Sequence, residues 1–313
     1  MTEVLQAGIL NIDKPMGWTS HDVVAKIRSL LNMKAGHLGT LDPMATGVLP
    51  ICFGKGTRAS AYLMEAEKEY EAVMRLGEET DTQDASGTCL RTTAIPAYLL
   101  DRLSDTLKAF TGTLMQSPPM YSAIKVRGVP LYKMARQGKV IPRAPRPVTL
   151  RSLRLMGWDG RDAQLHVVCS KGTYIRTLCA DIGEHLGLGG HLLSLRRTRV
   201  GMFPITESLT LETFSQRVAE GTWMRAACRL NEALGMYPAV VILGSRLHRL
   251  KQGVPMAYSD CSIPVAFERG TRLRLLEAST QELIGVGEAC LDTEEAEKHP
   301  TKPCLTMKTY LGV

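Results

Sequence analysis

The run GHLGTLDPMATGVLP, residues 36–50, sets the reading of this chain. Gly36, Gly39, Pro43 and Gly47 impose a defined, irregular loop, because glycine admits left-handed backbone and proline locks its own φ. Its last residues open GVLPICFG (47–54), a short apolar strand. Inside the loop sit His37 and Asp42, with Thr40 and Thr46 nearby. A carboxylate directly before proline is confined to extended geometry, and such rigidity suits a positioned catalytic group. An Asp beside a Pro also commonly caps a turn, and a lone His is commonly structural, so at this point both roles stay open.

Working outward, GILNIDKP (8–15) alternates and reads as a strand leaving into a turn at Met16-Gly17. Thr19 with Asp22 three residues on matches a capping box for a helix over 20–32, with Val23, Val24, Ile27, Leu30 and Leu31 on one face. KEYEAVMRLG (68–77) alternates as a strand, DTQDASG (81–87) is turn chemistry, and AYLLDRLSDTLKAF (97–110) is an amphipathic helix. TLRSLRLMGW (149–158) and AQLHVVCS (163–170) pair as a hairpin around Asp159-Gly160. GTYIRTLCADIGEHLG (172–187) reads as a helix capped by Thr173 and stopped by Gly187. No regular βαβ repeat appears, so the expectation is α+β: a mixed, largely antiparallel central sheet flanked by helices over residues 1–235, and a small β-rich domain over 236–313.

The 313 residues are 44% apolar and 22% charged, which excludes wholesale disorder, and no run reaches the ~20 apolar residues of a membrane helix. The N-terminus lacks a basic start followed by an apolar core, so no secretory signal and a cytoplasmic protein are expected. Eight cysteines include no C-x-x-C and no close cluster with His, which argues against a metal site and a disulfide scaffold. No dinucleotide or Walker-type glycine motif stands at a strand–helix junction, so no cofactor is expected.

The net charge of +7 is unevenly placed. Residues 236–313 hold nine basic and nine acidic side chains, so the whole surplus lies in 1–235. Between Asp105 and Asp159 there is no acidic residue, yet Lys108, Lys125, Arg127, Lys133, Arg136, Lys139, Arg143, Arg146, Arg151 and Arg154 are present. Cations crowded without counter-charge repel one another unless a polyanion neutralises them, and nucleic-acid phosphates are the polyanion at hand. Tyr121, Tyr132 and the prolines of PPMYS and IPRAPRP point to an ordered loop more than to a free tail.

NIDKPMGWTSHDVV (11–24), HLGTLDPMATGVLPICFGKGT (37–57), KEYEA (68–72), PPMYSAIKVRGVPLYKMARQG (118–138), KGTYIRTLCADIG (171–183) and HLLSLRRTRVG (191–201) together resemble the TruB family of bacterial tRNA pseudouridine-55 synthases, in the family's order. The resemblance implies the pseudouridine synthase fold with a PUA-like C-terminal domain, and a cofactor-free isomerisation of uridine 55 in the tRNA T loop. It implies Asp42 as the catalytic group, oriented by Arg176, with Tyr70 against the uracil. His37 would fill the space left by the extruded base, and Tyr174 and Leu195 would line the pocket. An insertion over about 119–147 would clasp the T loop and T stem, giving Lys125, Arg127, Lys133, Arg136, Lys139, Arg143 and Arg146 the role of RNA contacts. The implied protein is a monomer working without guide RNA and away from membranes. A guide-dependent modification core and a non-catalytic RNA-binding or RNA-folding protein are the alternatives. The long insertion weighs against the first, and the intact set Asp42, Tyr70 and Arg176 against the second.

Overall fold

A computed structural model describes residues 5–312 apart from Ala123, Arg127 and Arg136. Four helices and eight strands frame the N-terminal part. The helices are α1 (Ser20–Leu31), α2 (Leu99–Ala109), α3 (Ile175–His185) and α4 (Leu211–Ala219). The strands are β1 (Ala7–Lys14), β2 (Ala35–His37), β3 (Thr46–Gly54), β4 (Lys68–Leu76), β5 (Gly112–Gln116), β6 (Arg146–Trp158), β7 (Asp162–Cys169) and β8 (Gly190–Val200).

One sheet runs β1-β3-β8-β4-β7-β6-β5, with the short strand Ala227–Cys228 extending it beside β1. Its pairings are antiparallel except where β8 lies parallel to β3, Arg196 opposite Thr46 and Arg197 opposite Gly47. That parallel seam puts the end of the 36–47 loop at the middle of the sheet. Gly47 is required there: its φ is +100°, and a Cβ would meet the Arg197 carbonyl oxygen at 2.2 Å.

The helices cover one face because each carries an apolar stripe at helical spacing. Val23, Val24 and Ile27 of α1, Leu99, Leu103 and Leu107 of α2, and Ile175, Leu178, Cys179 and Ile182 of α3 are buried against Tyr70, Ala72, Met74, Leu165 and Val167 of the sheet. The opposite face packs Ala7, Ile9, Val48 and Cys52 onto Leu276, Leu283, Val286 and Leu311 of a second sheet. That second sheet has six strands and a core of its own around Val240, Ile242, Leu273, Leu275 and Leu305. Strand, helix and turn expectations for residues 8–110 and 149–170 hold, including the capping box between Thr19 and Asp22.

One start signal misleads. Thr173 does not cap α3; its hydroxyl donates back to the Ser170 carbonyl at 3.0 Å, and the helix begins at Ile175 after Tyr174. Gln116 of β5 occupies that terminus instead, accepting from the Tyr174 N–H at 2.8 Å and donating to the Tyr174 carbonyl at 3.1 Å. A tertiary partner outcompeted the local one. Gly187 does follow the helix end, at φ +76°.

All eight cysteines are free, with Cys52, Cys169, Cys179 and Cys304 buried as small apolar groups. No helix among the described residues is long and apolar enough to cross a membrane.

Candidate active site

Asp42 sits on the loop between β2 and β3, and that loop is held from three sides. From α1, the Ser20 hydroxyl donates to the Leu41 carbonyl at 3.0 Å and accepts from the Leu41 N–H at 2.8 Å. From β8, the fully buried Arg197 donates to the carbonyls of Val48 (2.7 Å) and Gly39 (3.0 Å). From β1, the fully buried Lys14 ammonium donates to the carbonyls of Pro15 (2.9 Å), Trp18 (2.6 Å) and Pro43 (3.3 Å). Each donor is a buried cation or hydroxyl aimed at main-chain oxygen, so the backbone around Asp42 is over-determined.

Arg176 fixes the carboxylate itself. Its Nε lies 2.9 Å from Asp42 Oδ2 and its Nη2 3.1 Å from Oδ1, a two-point fork. The same guanidinium donates to the carbonyls of Tyr121 (2.7 Å) and Thr82 (3.3 Å), and its Nη1 stands 3.4 Å from Asp84 Oδ2. Arg176 is the second residue of α3, where the helix dipole disfavours a cation; two carboxylates offset this. Burial pushes the Asp42 carboxyl above its ordinary value, Arg176 opposes that shift, and the nearby Asp84 charge adds to it. The Asp42 side chain stays 33% exposed, so the fork holds it from behind and leaves one side open.

Tyr70 stands on β4 directly opposite Arg197 of β8, and Leu195 opposite Ala72 two residues along. Tyr70 and Leu195 are buried in one apolar cluster with Leu41 and Ile175. Burial raises the Tyr70 hydroxyl above the usual phenol value, so it is a protonated donor at neutral pH. Tyr174 is half-buried, its phenol likewise raised by burial. His37 ends β2, with Nδ1 accepting from the Gly39 N–H at 3.4 Å. Burial and then the Arg197 charge lower its pKa, so it is a neutral ring at pH 7. Chemically, the arrangement presents one oriented carboxylate to whatever rests against an apolar wall containing a phenol.

Two participants escaped the sequence reading. Asp84 lies in the DTQDASG turn and does the expected turn work with Oδ1, accepting from Thr82 Oγ1 (2.7 Å) and the Ser86 N–H (3.0 Å). Its second oxygen faces Arg176, and no local pattern distinguishes such a residue from an ordinary turn Asp. Lys14 read as the polar end of a strand, yet it is the buried strut under Pro43. Burial lowers its pKa to about 8, against an unfolded value near 10.5. Between pH 8 and 10.5 the unfolded chain therefore holds the extra proton at this residue, and the Lys14 contribution to stability should climb with pH by roughly 3 kcal/mol, at ~1.4 kcal/mol per unit. Urea titrations of the parent and of Lys14→Met across that window test this; parallel curves for the two proteins would refute it.

The basic segment needs one correction. Lys108 pairs locally with Asp105 one helical turn before it (2.8 Å), and folding supplies two further cations with partners from elsewhere: Arg151 pairs with Glu67, the residue before β4 (2.5 Å), and Arg154 contacts His166 Nδ1 (3.2 Å). Acid-free in sequence is not acid-free in space, because β6 lies in the same sheet as β4. Lys125, Lys133, Lys139 and Arg146 are exposed and form no ion pair among the described residues. Arg143 is half-buried, with its Nε lacking a partner. Arg127 and Arg136 lie outside the described residues. The segment is ordered by a small hairpin, Lys125–Val126 with Val129–Pro130, and by the fully buried Leu131.

Among the described residues, no three His, Cys, Asp or Glu side chains are grouped to hold a metal ion.

Comparison with known proteins matches the model of the TruB family pseudouridylate synthase N-terminal domain to residues 27–175, and that of the tRNA pseudouridylate synthase B C-terminal domain to 176–234. A tRNA pseudouridine synthase B of Heliobacterium modesticaldum is 42% identical over 306 residues, covering 96% of this chain and 97% of the relative. One of Stutzerimonas stutzeri is 50% identical over 216 residues, 69% of this chain and 70% of the relative. Among solved structures, a Cbf5-Nop10-Gar1 complex superposes with a TM-score of 0.78 at 30% identity, covering 98% of this chain and 85% of that one. The match runs through the small C-terminal sheet, the PUA-like domain of the pseudouridine synthase fold. With the near full-length relative and the two consecutive family models agreeing, the chain belongs to the TruB family of pseudouridylate synthases.

Proposed function

We propose that this protein isomerises uridine 55 in the T loop of tRNA to pseudouridine, as a stand-alone, cofactor-free monomer of the cytoplasm, with Asp42 as its catalytic group. The observation that carries the reading is the Asp42 carboxylate, gripped by both oxygens from behind and open on one side. The reaction breaks the bond from ribose C1′ to N1 of uracil, turns the base, and joins C1′ to C5; C5 gives up its proton and N1 takes one up, so the net change is an isomerisation. A single oriented carboxylate suffices as nucleophile or base. The phenol of Tyr70 would lie against the uracil and relay the departing proton, with Leu195 and Tyr174 completing the wall. A target inside a loop stack must be extruded first, and the neutral ring of His37 would fill the space it leaves.

Residues 1–235 form the catalytic domain in this reading, with 119–147 as the RNA-clasping insertion and 236–313 as the PUA-like domain. Arg176 supports the coupling of clasp and chemistry, since its guanidinium holds both Asp42 and the carbonyl of Tyr121 at the base of the insertion. The insertion's unpaired cations favour an enzyme that grips RNA by itself over a guide-dependent core. The deciding experiment incubates purified protein with an unmodified tRNA transcript, without guide RNA, and maps pseudouridine chemically; product at position 55 is expected, and its absence would sink the proposal.

Binding should separate from chemistry. Neutralising Lys125, Lys133 and Lys139 together should flatten the dependence of log K on log salt by about 0.7 to 0.9 per lost phosphate contact. The single-turnover rate at saturating tRNA should hold, because uniform binding energy leaves the bound-state barrier unchanged. An unaltered slope would make the segment a solvated surface and the clasp assignment wrong.

A further inference from the structure

The three tryptophans of this chain have unlike surroundings. Trp158 and Trp223 are half-buried against the helix-covered core, and Trp223 stands edge-on to Phe53 with ring centroids 5.4 Å apart. Trp18 is 38% exposed, and its side chain makes no ring, cation–π or hydrogen-bond contact among the described residues. Met16, two residues before it, is 67% exposed. An indole left facing water forgoes burial that the other two obtain, and its flat apolar face is free for a ligand.

Its backbone, by contrast, is held firmly, and held to the catalytic loop. The Trp18 carbonyl accepts from the Lys14 ammonium at 2.6 Å and the Pro43 carbonyl accepts from the same nitrogen at 3.3 Å, which sets the two side by side. The Gly17 N–H also donates to the Pro43 carbonyl, at 2.8 Å. Pro43 directly follows Asp42 and is itself exposed. Exposed surface therefore runs from the Asp42 carboxylate across Pro43 to Met16 and Trp18. RNA loops are gripped by stacking their splayed bases on aromatic side chains. Extruding a target base breaks its stacks and leaves the adjoining bases with an uncovered face. We propose, on the reading that tRNA is the substrate, that Trp18 is a stacking platform for a nucleobase adjoining the target uridine. The Lys14 ammonium then serves both ends of the site, since it fixes the carbonyl beside the carboxylate and the carbonyl beneath the indole.

The test measures tRNA binding by the parent, Trp18→Ala and Trp18→Phe. The transcripts are intact tRNA and two versions with an abasic nucleotide on the 5′ or the 3′ side of the target. On intact tRNA, Trp18→Ala should raise Kd about fivefold or more, the loss of one aromatic–base stack, and Trp18→Phe should recover most of it. The salt slope should stay at the parent's value in both, because no phosphate contact is lost. On one of the two abasic transcripts, parent and Trp18→Ala should bind alike. Binding of intact tRNA should quench the parent's tryptophan emission and leave that of Trp18→Phe unquenched. An unchanged Kd for Trp18→Ala would overturn the proposal, as would an equal loss on all three transcripts. Trp18→Phe binding as poorly as Trp18→Ala, with a lowered melting temperature, would make the indole a structural prop of the turn. A parent that binds tRNA without isomerising it would sink the catalytic reading and leave these comparisons to decide this one; a parent that does not bind it would sink both.

Discussion

Replacing Asp42 by Asn should leave a folded protein that binds tRNA and forms no pseudouridine. The amide keeps the size of the carboxylate, and its carbonyl oxygen can still accept from the Arg176 guanidinium. Arg176 stays paired with Asp84 and with the carbonyls of Thr82 and Tyr121, so the buried charge is not abandoned. What disappears is the negative charge, and with it both nucleophile and base. Loss of a group that acts in the reacting complex typically exceeds a thousandfold. A single-turnover rate above about a thousandth of the parent's would remove Asp42 from the essential role, and a matching loss of tRNA affinity would show that its charge serves binding instead.

Arg176→Lys should be nearly as damaging for a different reason. The charge is retained, but a guanidinium presents a planar fork and an ammonium is a point donor. Lysine can replace one of the fork's two contacts to Asp42 and cannot also reach Asp84, Thr82 and Tyr121. We expect the single-turnover rate to fall by about a hundredfold or more, the scale seen when a preorganised charge-stabilising donor is removed. The salt slope of tRNA binding should stay at the parent's value, since no phosphate contact is lost. The melting temperature should drop too, because Asp84 is buried and loses its ion pair, a change worth roughly 3 kcal/mol. A variant with parental rate would mean that Asp42 is oriented by its loop alone, through Ser20, Lys14 and Arg197.

Most of the elements were legible in the sequence because their periodicity was not contested by tertiary demands. The alternation of residues 68–77, the helical stripes of 20–32 and 97–110, and the Asp159-Gly160 hairpin each need only local geometry and one buried face. The Asp42 loop was legible too, because glycine and proline write their backbone requirements into the chain itself. Residue chemistry and the family resemblance singled out Asp42 and Arg176, and the fold brought them into contact across 134 residues of sequence. The sequence could not disclose which polar groups the fold would bury. Asp84 looked like a turn residue and was one with half its carboxylate; only the arrival of α3 gave the other oxygen its guanidinium. Thr173 carried a cap signal that lost to Gln116, a partner 58 residues away from the Tyr174 backbone it holds. Lys14 became the strut beneath Pro43 because β1 and the 36–47 loop converge, and Arg151 found Glu67 because β6 and β4 share a sheet. Local backbone preference acts over a few residues and is spelled out in order along the chain, whereas the partners of buried charges are chosen by which distant segments share a desolvated space, and that is decided only when the sheet closes.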